Sequence, residues 1–255
     1  MSWDPNQYLA FADHRLRPAL DLLTRIGLDQ PKHVYDLGCG PGNVTAVLAK
    51  RWPKAAVVGV DNSPNMLSSA GAPTGNLRWQ QADIATWKPA APADLIYSNA
   101  ALQWLDDHAT LMPRLLGLLA PGGVLAVQMP RNHGAPSHVG MVEAALAGPW
   151  KGKLEPLLRR TPVAKPSVYY DLLRPHCTRI DIWETIYTQV LEGADPVVEW
   201  TKGTALKPLL DALATEERNT FLADYRQRMR EAYPLRGDGR TLFPFRRLFF
   251  IAQVA

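Results

Sequence analysis

The chain has 255 residues, is 47% hydrophobic and 20% charged, and carries a net charge of +4. That profile excludes disordered and fibrous classes and fits one large globular domain, or one with a sizeable insertion. Apolar runs such as VVGV and LFFIA fall well short of the roughly 18 residues of a membrane span.

The opening "MSWDPNQYLAFADHR" carries acid and proline where a secretion signal needs basic and then apolar residues, so a cytoplasmic protein with no membrane partner is expected. Its basic segments, "KRWPK" and "FRRLF", are short and do not alternate with aromatics, which argues against nucleic acid and fits attraction of a small polyanion. Cys39 and Cys177 lack CxxC spacing and the histidines lack HxxxH pairing, so neither a disulfide framework nor a metal site is expected.

In chain order, apolar positions at Leu16, Ala19, Leu20, Leu23 and Ile26 predict an N-terminal helix closed by Gly27. "HVYDL" reads as a buried strand, "NVTAVLAKRW" as a helix and "AVVGVD" as a second strand. "SPNMLSSA" is a helix capped by Ser63 with Pro64 at its first position. "LRWQQAD" and "ADLIYSNA" are the third and fourth strands, "HATLMPRLLGLLA" a helix broken by "PGG", and "VLAVQMP" the fifth strand. This alternation predicts a doubly wound, mostly parallel α/β sheet.

Beyond Pro130 the rhythm changes. A helix is expected from Ser137, a loop or mobile lid over "GPWKGKLEPLLRRTPVAKP", a short helix at "VYYDLLRP", and a strand at "RIDIWETIYTQV". Three helical segments from Pro196 to Tyr233 and a last strand, "RLFFIAQV", complete the pattern. The expected organisation is one domain over 1–255, with an N-terminal lid helix (1–30) and a cofactor-binding core (31–130). Substrate-capping helical insertions (131–178 and 191–240) and the last strands (179–190 and 242–254) follow.

The chemistry concentrates in "DLGCGPGN". A glycine turn between strand and helix exposes backbone N–H groups to a ligand. The spacing is GxGxG, and Asn43 stands where a dinucleotide loop needs its third glycine. Asp36 precedes the loop, where it would repel a pyrophosphate and welcome an ammonium. Asp61, ending the second strand, suits both hydroxyls of a ribose. S-adenosyl-L-methionine has that layout, with the loop glycines Gly38 and Gly40 against its backbone-facing side. Asp83 and Ile84 suit the amino group and apolar face of its adenine, Met66 the opposite ring face, and Asn99 the methionyl part.

Together, "DLGCGPG", "GVDNSPNML", "QADI" and "SNAALQWL" resemble the class I S-adenosylmethionine-dependent methyltransferases. These motifs add Asn62 and Trp104, with Asn43, to the expected cofactor contacts. "WDPNQYLAFADHRLRPALDLL", "LQWLDDH", "VLAVQMP", "YYDLL", "DIWETIY" and "PLLDAL" extend the similarity to the trans-aconitate 2-methyltransferase family over nearly the whole length. The resemblance implies a seven-stranded Rossmann-like fold with an antiparallel final strand and a helical cap. It also implies esterification of one carboxylate of a small tricarboxylate, with S-adenosyl-L-homocysteine as product.

An ionised carboxylate needs no general base, so no catalytic acid–base residue is expected, only positioning and exclusion of water. Candidates for holding the polycarboxylate are Tyr8, Asn132, His138, Tyr169, Tyr170, Trp200 and Arg247. Arg15 has two competing readings, holding the substrate or the cofactor's own carboxylate. Two other readings are open at this level: methylation of a carrier-bound malonyl group, for which "KGK" and "LLRR" supply basic surface, and a non-catalytic S-adenosylmethionine sensor.

Overall fold

The computed structural model describes residues 12–159 and 162–255, with side chains from residue 16 onward. Helix α1 (Ala12–Thr24) leads into β1 (His33–Leu37), α2 (Asn43–Arg51), β2 (Ala56–Asp61), α3 (Pro64–Ser69), β3 (Leu77–Gln81) and β4 (Ala93–Asn99). A 3-10 turn (Leu102–Trp104), α4 (His108–Leu116) and β5 (Leu119–Pro130) follow. The remainder comprises α5 (Pro136–Ala147), α6 (Lys151–Leu154), α7 (Pro166–Leu173), β6 (Arg179–Leu191), α8 (Pro196–Lys202), α9 (Lys207–Asp211), α10 (Thr215–Ala232) and β7 (Thr241–Gln253).

The seven strands lie in the order β3-β2-β1-β4-β5-β7-β6. The first five pair in parallel and β7 runs antiparallel to β5, as expected. Strands buried on both faces carry near-continuous apolar runs, which is why β1 and β4 read as HVYDL and ADLIYSN. The order reverses at β1, flanked by β2 and β4, so the crevice beyond its carboxyl end is where such sheets take ligands. Ser63 caps α3 as expected, its hydroxyl accepting from the Met66 N–H at 3.4 Å. No described helix is long and apolar enough to cross a membrane.

The chain forms two compact units. One holds the described residues up to Pro130 together with 163–185 and 247–255; the other holds 131–162 and 186–246. In the second, α5 and α10 approach closely: a Cβ on Gly140 would lie 2.8 Å from Met229 Cε. Two tyrosine hydroxyls fasten the start of α5. Tyr225 donates to the Ser137 carbonyl at 3.0 Å, and Tyr233 accepts from the Ser137 N–H at 3.1 Å.

Four expectations change. The "PGG" segment is part of β5, whose register with β4 shifts between Ala93 and Leu95. Gly123 is required there, since a Cβ would fall 2.7 Å from the carbonyl oxygens of Ala93 and Ala120. The stretch read as a loop contains α6 and a following 3-10 turn (Glu155–Leu157). Trp150 and Leu154, spaced i, i+4, bury there beneath a Lys- and Pro-rich exterior. Residues 163–178, assigned above to a capping insertion, group with the sheet unit, because Val163, Tyr169, Leu173 and Cys177 join its core. In α1 the buried positions are Pro18, Ala19, Leu22 and Leu23, and Leu20 is exposed.

Trp150 anchors α6 by edge contact with Phe221 and by an Nε1–H bond to the Ala144 carbonyl at 3.0 Å. Trp150→Ala should therefore cost about 3–5 kcal/mol in denaturant unfolding, whereas Lys151→Ala should be nearly neutral.

Candidate cofactor and substrate site

The turn after β1 is shaped before any ligand arrives. The Gly38 and Cys39 N–H groups donate to the Val60 carbonyl at 2.7 and 3.0 Å, and Gly42 N–H donates to the Cys39 carbonyl at 3.1 Å. Gly38 has φ +75°, and a Cβ there would fall 2.1 Å from Ala101 Cβ, so both handedness and packing demand glycine. Gly40, at φ +56°, differs: a Cβ would meet nothing within 4 Å, leaving room for a ligand against the backbone. Gly42 caps α2 without a side-chain acceptor, so its first-turn N–H groups face outward beside exposed Asn43. Cys39 is buried, and burial together with Asp36 and Asp61 pushes its thiol well above its ordinary value. It fills the turn and is not a reactive thiolate.

Asp36 and Asp61 stand at the carboxyl ends of β1 and β2. Asp36 is 2% exposed and accepts from Thr45 Oγ1 at 2.7 Å. Burial raises it from 3.8 to about 7; the Thr45 bond opposes this and Asp61 adds to it. Asp61 Oδ2 accepts from the Gly40 N–H, and Oδ1 from the Ser63 N–H, both at 2.9 Å. Each oxygen keeps a lone pair for a ribose hydroxyl. Asp61 thus also ties the glycine turn to the start of α3, a second role that spacing did not show.

Beyond β3, Asp83 is exposed and accepts from the Ala85 N–H at 2.9 Å, forming a local turn. Ile84 and Met66 are buried, and Ile84 Cδ1 reaches within 3.7 Å of the position a Gly38 Cβ would take. Arg114, which the sequence reading missed, clamps this turn from α4 by donating to the carbonyls of Ile84 and Trp87. Asn62 is exposed at the end of β2, and Trp104 is half-buried in the 3-10 turn.

Asn99 ends β4 beside its register partner Gln128 on β5. Gln128 is fully buried and accepts from Arg247 Nη1 at 3.1 Å. Arg247, inside β7, is only 4% exposed. Asn99 Oδ1 and Gln128 Nε2 are buried with no hydrogen-bond partner. An open glycine turn, two carboxylates at strand ends and an unsatisfied amide oxygen fit an aminoacyl ribonucleoside cation.

The substrate candidates divide. Tyr169 is a core residue: its hydroxyl lies 2.6 Å from His108 Nδ1 and its ring stacks on Phe250. Trp200 is likewise core, packed against Phe243 and Phe245. Both roles are withdrawn. Of the adjacent tyrosines Tyr170 is the exposed one. The Asn132 amide donates to the Arg246 carbonyl and accepts from the Arg246 N–H, at 2.9 and 2.8 Å, a clasp between β5 and β7. A cavity of about 1070 Å³ in the same unit is lined by Asn132, His133, Arg131, Arg236 and Arg246, without any carboxylate; His138 does not line it. Burial, aided by His133, lowers His138 to about 4, so it is neutral near pH 7 and serves only as a neutral partner. Tyr8 and the Arg15 side chain lie outside the described residues.

Because Asp36 is ionised only above about 7, and a cationic ligand favours its ionised form, affinity for an ammonium-bearing nucleoside falls as pH drops. Calorimetric titration with S-adenosylhomocysteine should show about tenfold weaker binding at pH 6 than at pH 8, a dependence flattened in Asp36→Asn.

The methyltransferase domain family model matches residues 34–123. A trans-aconitate 2-methyltransferase of Azoarcus sp. (strain BH72) is 53% identical over 98% of both chains, and one of Rhodopseudomonas palustris (strain BisB18) is 49% identical over 98% of both. Among solved structures, phosphoethanolamine N-methyltransferase 2 of Haemonchus contortus with S-adenosyl-L-methionine superposes with a TM-score of 0.55 at 16% identity. That match covers 94% of this chain and 53% of the other, and supports the fold. Matched end to end at about half identity, this chain belongs to the trans-aconitate 2-methyltransferase family.

Proposed function

We propose that the protein esterifies a carboxylate of trans-aconitate with the methyl group of S-adenosyl-L-methionine. The observation that carries this reading is the glycine turn flanked by Asp36 and Asp61, in a chain whose full-length relatives bear that activity in their names. Neither a carrier-bound malonyl acceptor nor a sensor role has support in those relatives.

When bound, the cofactor supplies a methyl group activated on a sulfonium. Asp36 holds the ammonium end, Asp61 the ribose, and Met66 and Ile84 the adenine faces, with Asp83 at its amino group. Asn99 turns its amide oxygen toward the methionyl part. The acceptor carboxylate has a pKa near 4 and arrives ionised, so no residue need remove a proton. The chain's contribution is alignment and removal of water, which is worth roughly 7–11 kcal/mol in well-oriented intramolecular systems. Arg247 and Tyr170, with Tyr8 and Arg15, hold the carboxylates that do not react, and the reacting oxygen stays free of strong donors.

Labelled methyl transfer to a panel of di- and tricarboxylates should give turnover with trans-aconitate. Asp61→Ala, which removes both the ribose acceptor and the Gly40 tether, should raise the KM for S-adenosylmethionine by roughly 10–100-fold. Absence of transfer to any free polycarboxylate would overturn the proposal.

A further inference from the structure

Parallel register partners project to the same side of a sheet, as do residues two apart on one strand. Asn99 and Gln128 are register partners, and Gln128 pairs with Phe249, two residues from Arg247. The three side chains therefore form one row across β4, β5 and β7 at the carboxyl ends of the parallel strands.

The chemistry of this row is constrained. A guanidinium only donates, so the Gln128 oxygen must face Arg247, and the amide cannot be turned end for end without losing that bond. Nε2 is thereby committed as a donor, in a side chain that is fully buried, and it has no acceptor. Asn99 Oδ1 is a buried acceptor in the adjacent position, yet the two do not bond to each other. Leaving a buried donor unmatched costs free energy that a packed apolar side chain would avoid. An amide N–H held beside a guanidinium by that guanidinium's own bond makes a two-pronged donor, whose matching ligand is a carboxylate.

We propose that Gln128 is a substrate-recognition residue whose amide N–H, together with Arg247, receives a non-reacting carboxylate of the polycarboxylate acceptor. The inference rests on the methyl-transfer reading above. It adds a residue to which no role was assigned above, and it divides the row by chemistry. The Asn99 acceptor faces the cofactor's donors, while the Gln128 donor faces the substrate's oxygens.

The test is steady-state methyl transfer by the full chain, with trans-aconitate and S-adenosylmethionine varied separately. Gln128→Met keeps the volume and removes the donor, and with it the acceptor that Arg247 uses. Gln128→Glu keeps an acceptor for Arg247 but sets a negative charge against the incoming carboxylate. The KM for trans-aconitate should rise at least tenfold in the first and at least a hundredfold in the second. The KM for S-adenosylmethionine and the affinity for S-adenosylhomocysteine should stay within twofold. In the unmodified protein carrying S-adenosylhomocysteine, the Gln128 side-chain amide resonances should move on addition of trans-aconitate. This check does not depend on how the variants fold. A KM for trans-aconitate unchanged in both variants, a shift falling on S-adenosylmethionine instead, or static amide resonances overturns the assignment. Absence of wild-type turnover overturns the parent reading with it, and so marks that failure apart.

Discussion

Two hydrogen bonds to one carboxylate set the geometry on which the ligand site rests. Asp61, at the end of β2, accepts from the Gly40 N–H on one oxygen and from the Ser63 N–H on the other. A turn of alternating glycines has many conformations available to it and would lose much entropy on meeting a ligand. With both oxygens bonded to backbone N–H groups, the Asp61 side chain fixes the turn in advance. The carboxylate proposed for the ribose thus also prepares the neighbouring backbone. Packing adds a second restraint, since Gly38 lies against Ala101 and leaves no latitude for a side chain.

Around this restraint the sheet end carries groups that a purely structural core would not hold. Asp36 is buried with one hydroxyl partner, and desolvation keeps it half-protonated near neutral pH. Asn99 and Gln128 each bury an unmatched polar atom. At about 1–3 kcal/mol for each such atom, they cost a noticeable share of the roughly 5–15 kcal/mol by which a domain is stable. The surrounding apolar packing offsets this: Leu37, Leu95, Ile96, Tyr97, Leu125 and Val127 are all fully buried or nearly so. The site is polar at the strand ends and dry beneath, an arrangement that strengthens electrostatic contacts with whatever enters.

Local pattern carried the sheet. The strands β1, β2, β4 and β5 were legible because buried parallel strands read as short apolar runs bounded by turn residues, and the Ser63–Pro64 pair marked α3 from chemistry alone. The positions of Asp36 and Asp61 were legible too, since each lies at or next to the end of a short strand. Tyr169 and Trp200 were misread as ligand contacts because an aromatic suits a pocket and a core equally. Only the stack of Tyr169 on Phe250 and the packing of Trp200 on Phe243 and Phe245 separate the two. Trp150 and Leu154 show the converse, two apolar residues hidden from view by the lysines and prolines around them.

By itself the sequence determined the fold class, the strand–turn–helix unit at Gly38–Asn43 and the acidic frame around it, because these follow from periodicity and from residue types at neighbouring positions. The tertiary structure alone decided that Gln128 and Arg247 meet across strands 119 positions apart in the chain, that Arg114 clamps the Ile84 turn, and that Asn132 fastens Arg246. Contacts of that kind depend on strand order and register, which no local pattern encodes, and so they became visible only once the sheet was assembled.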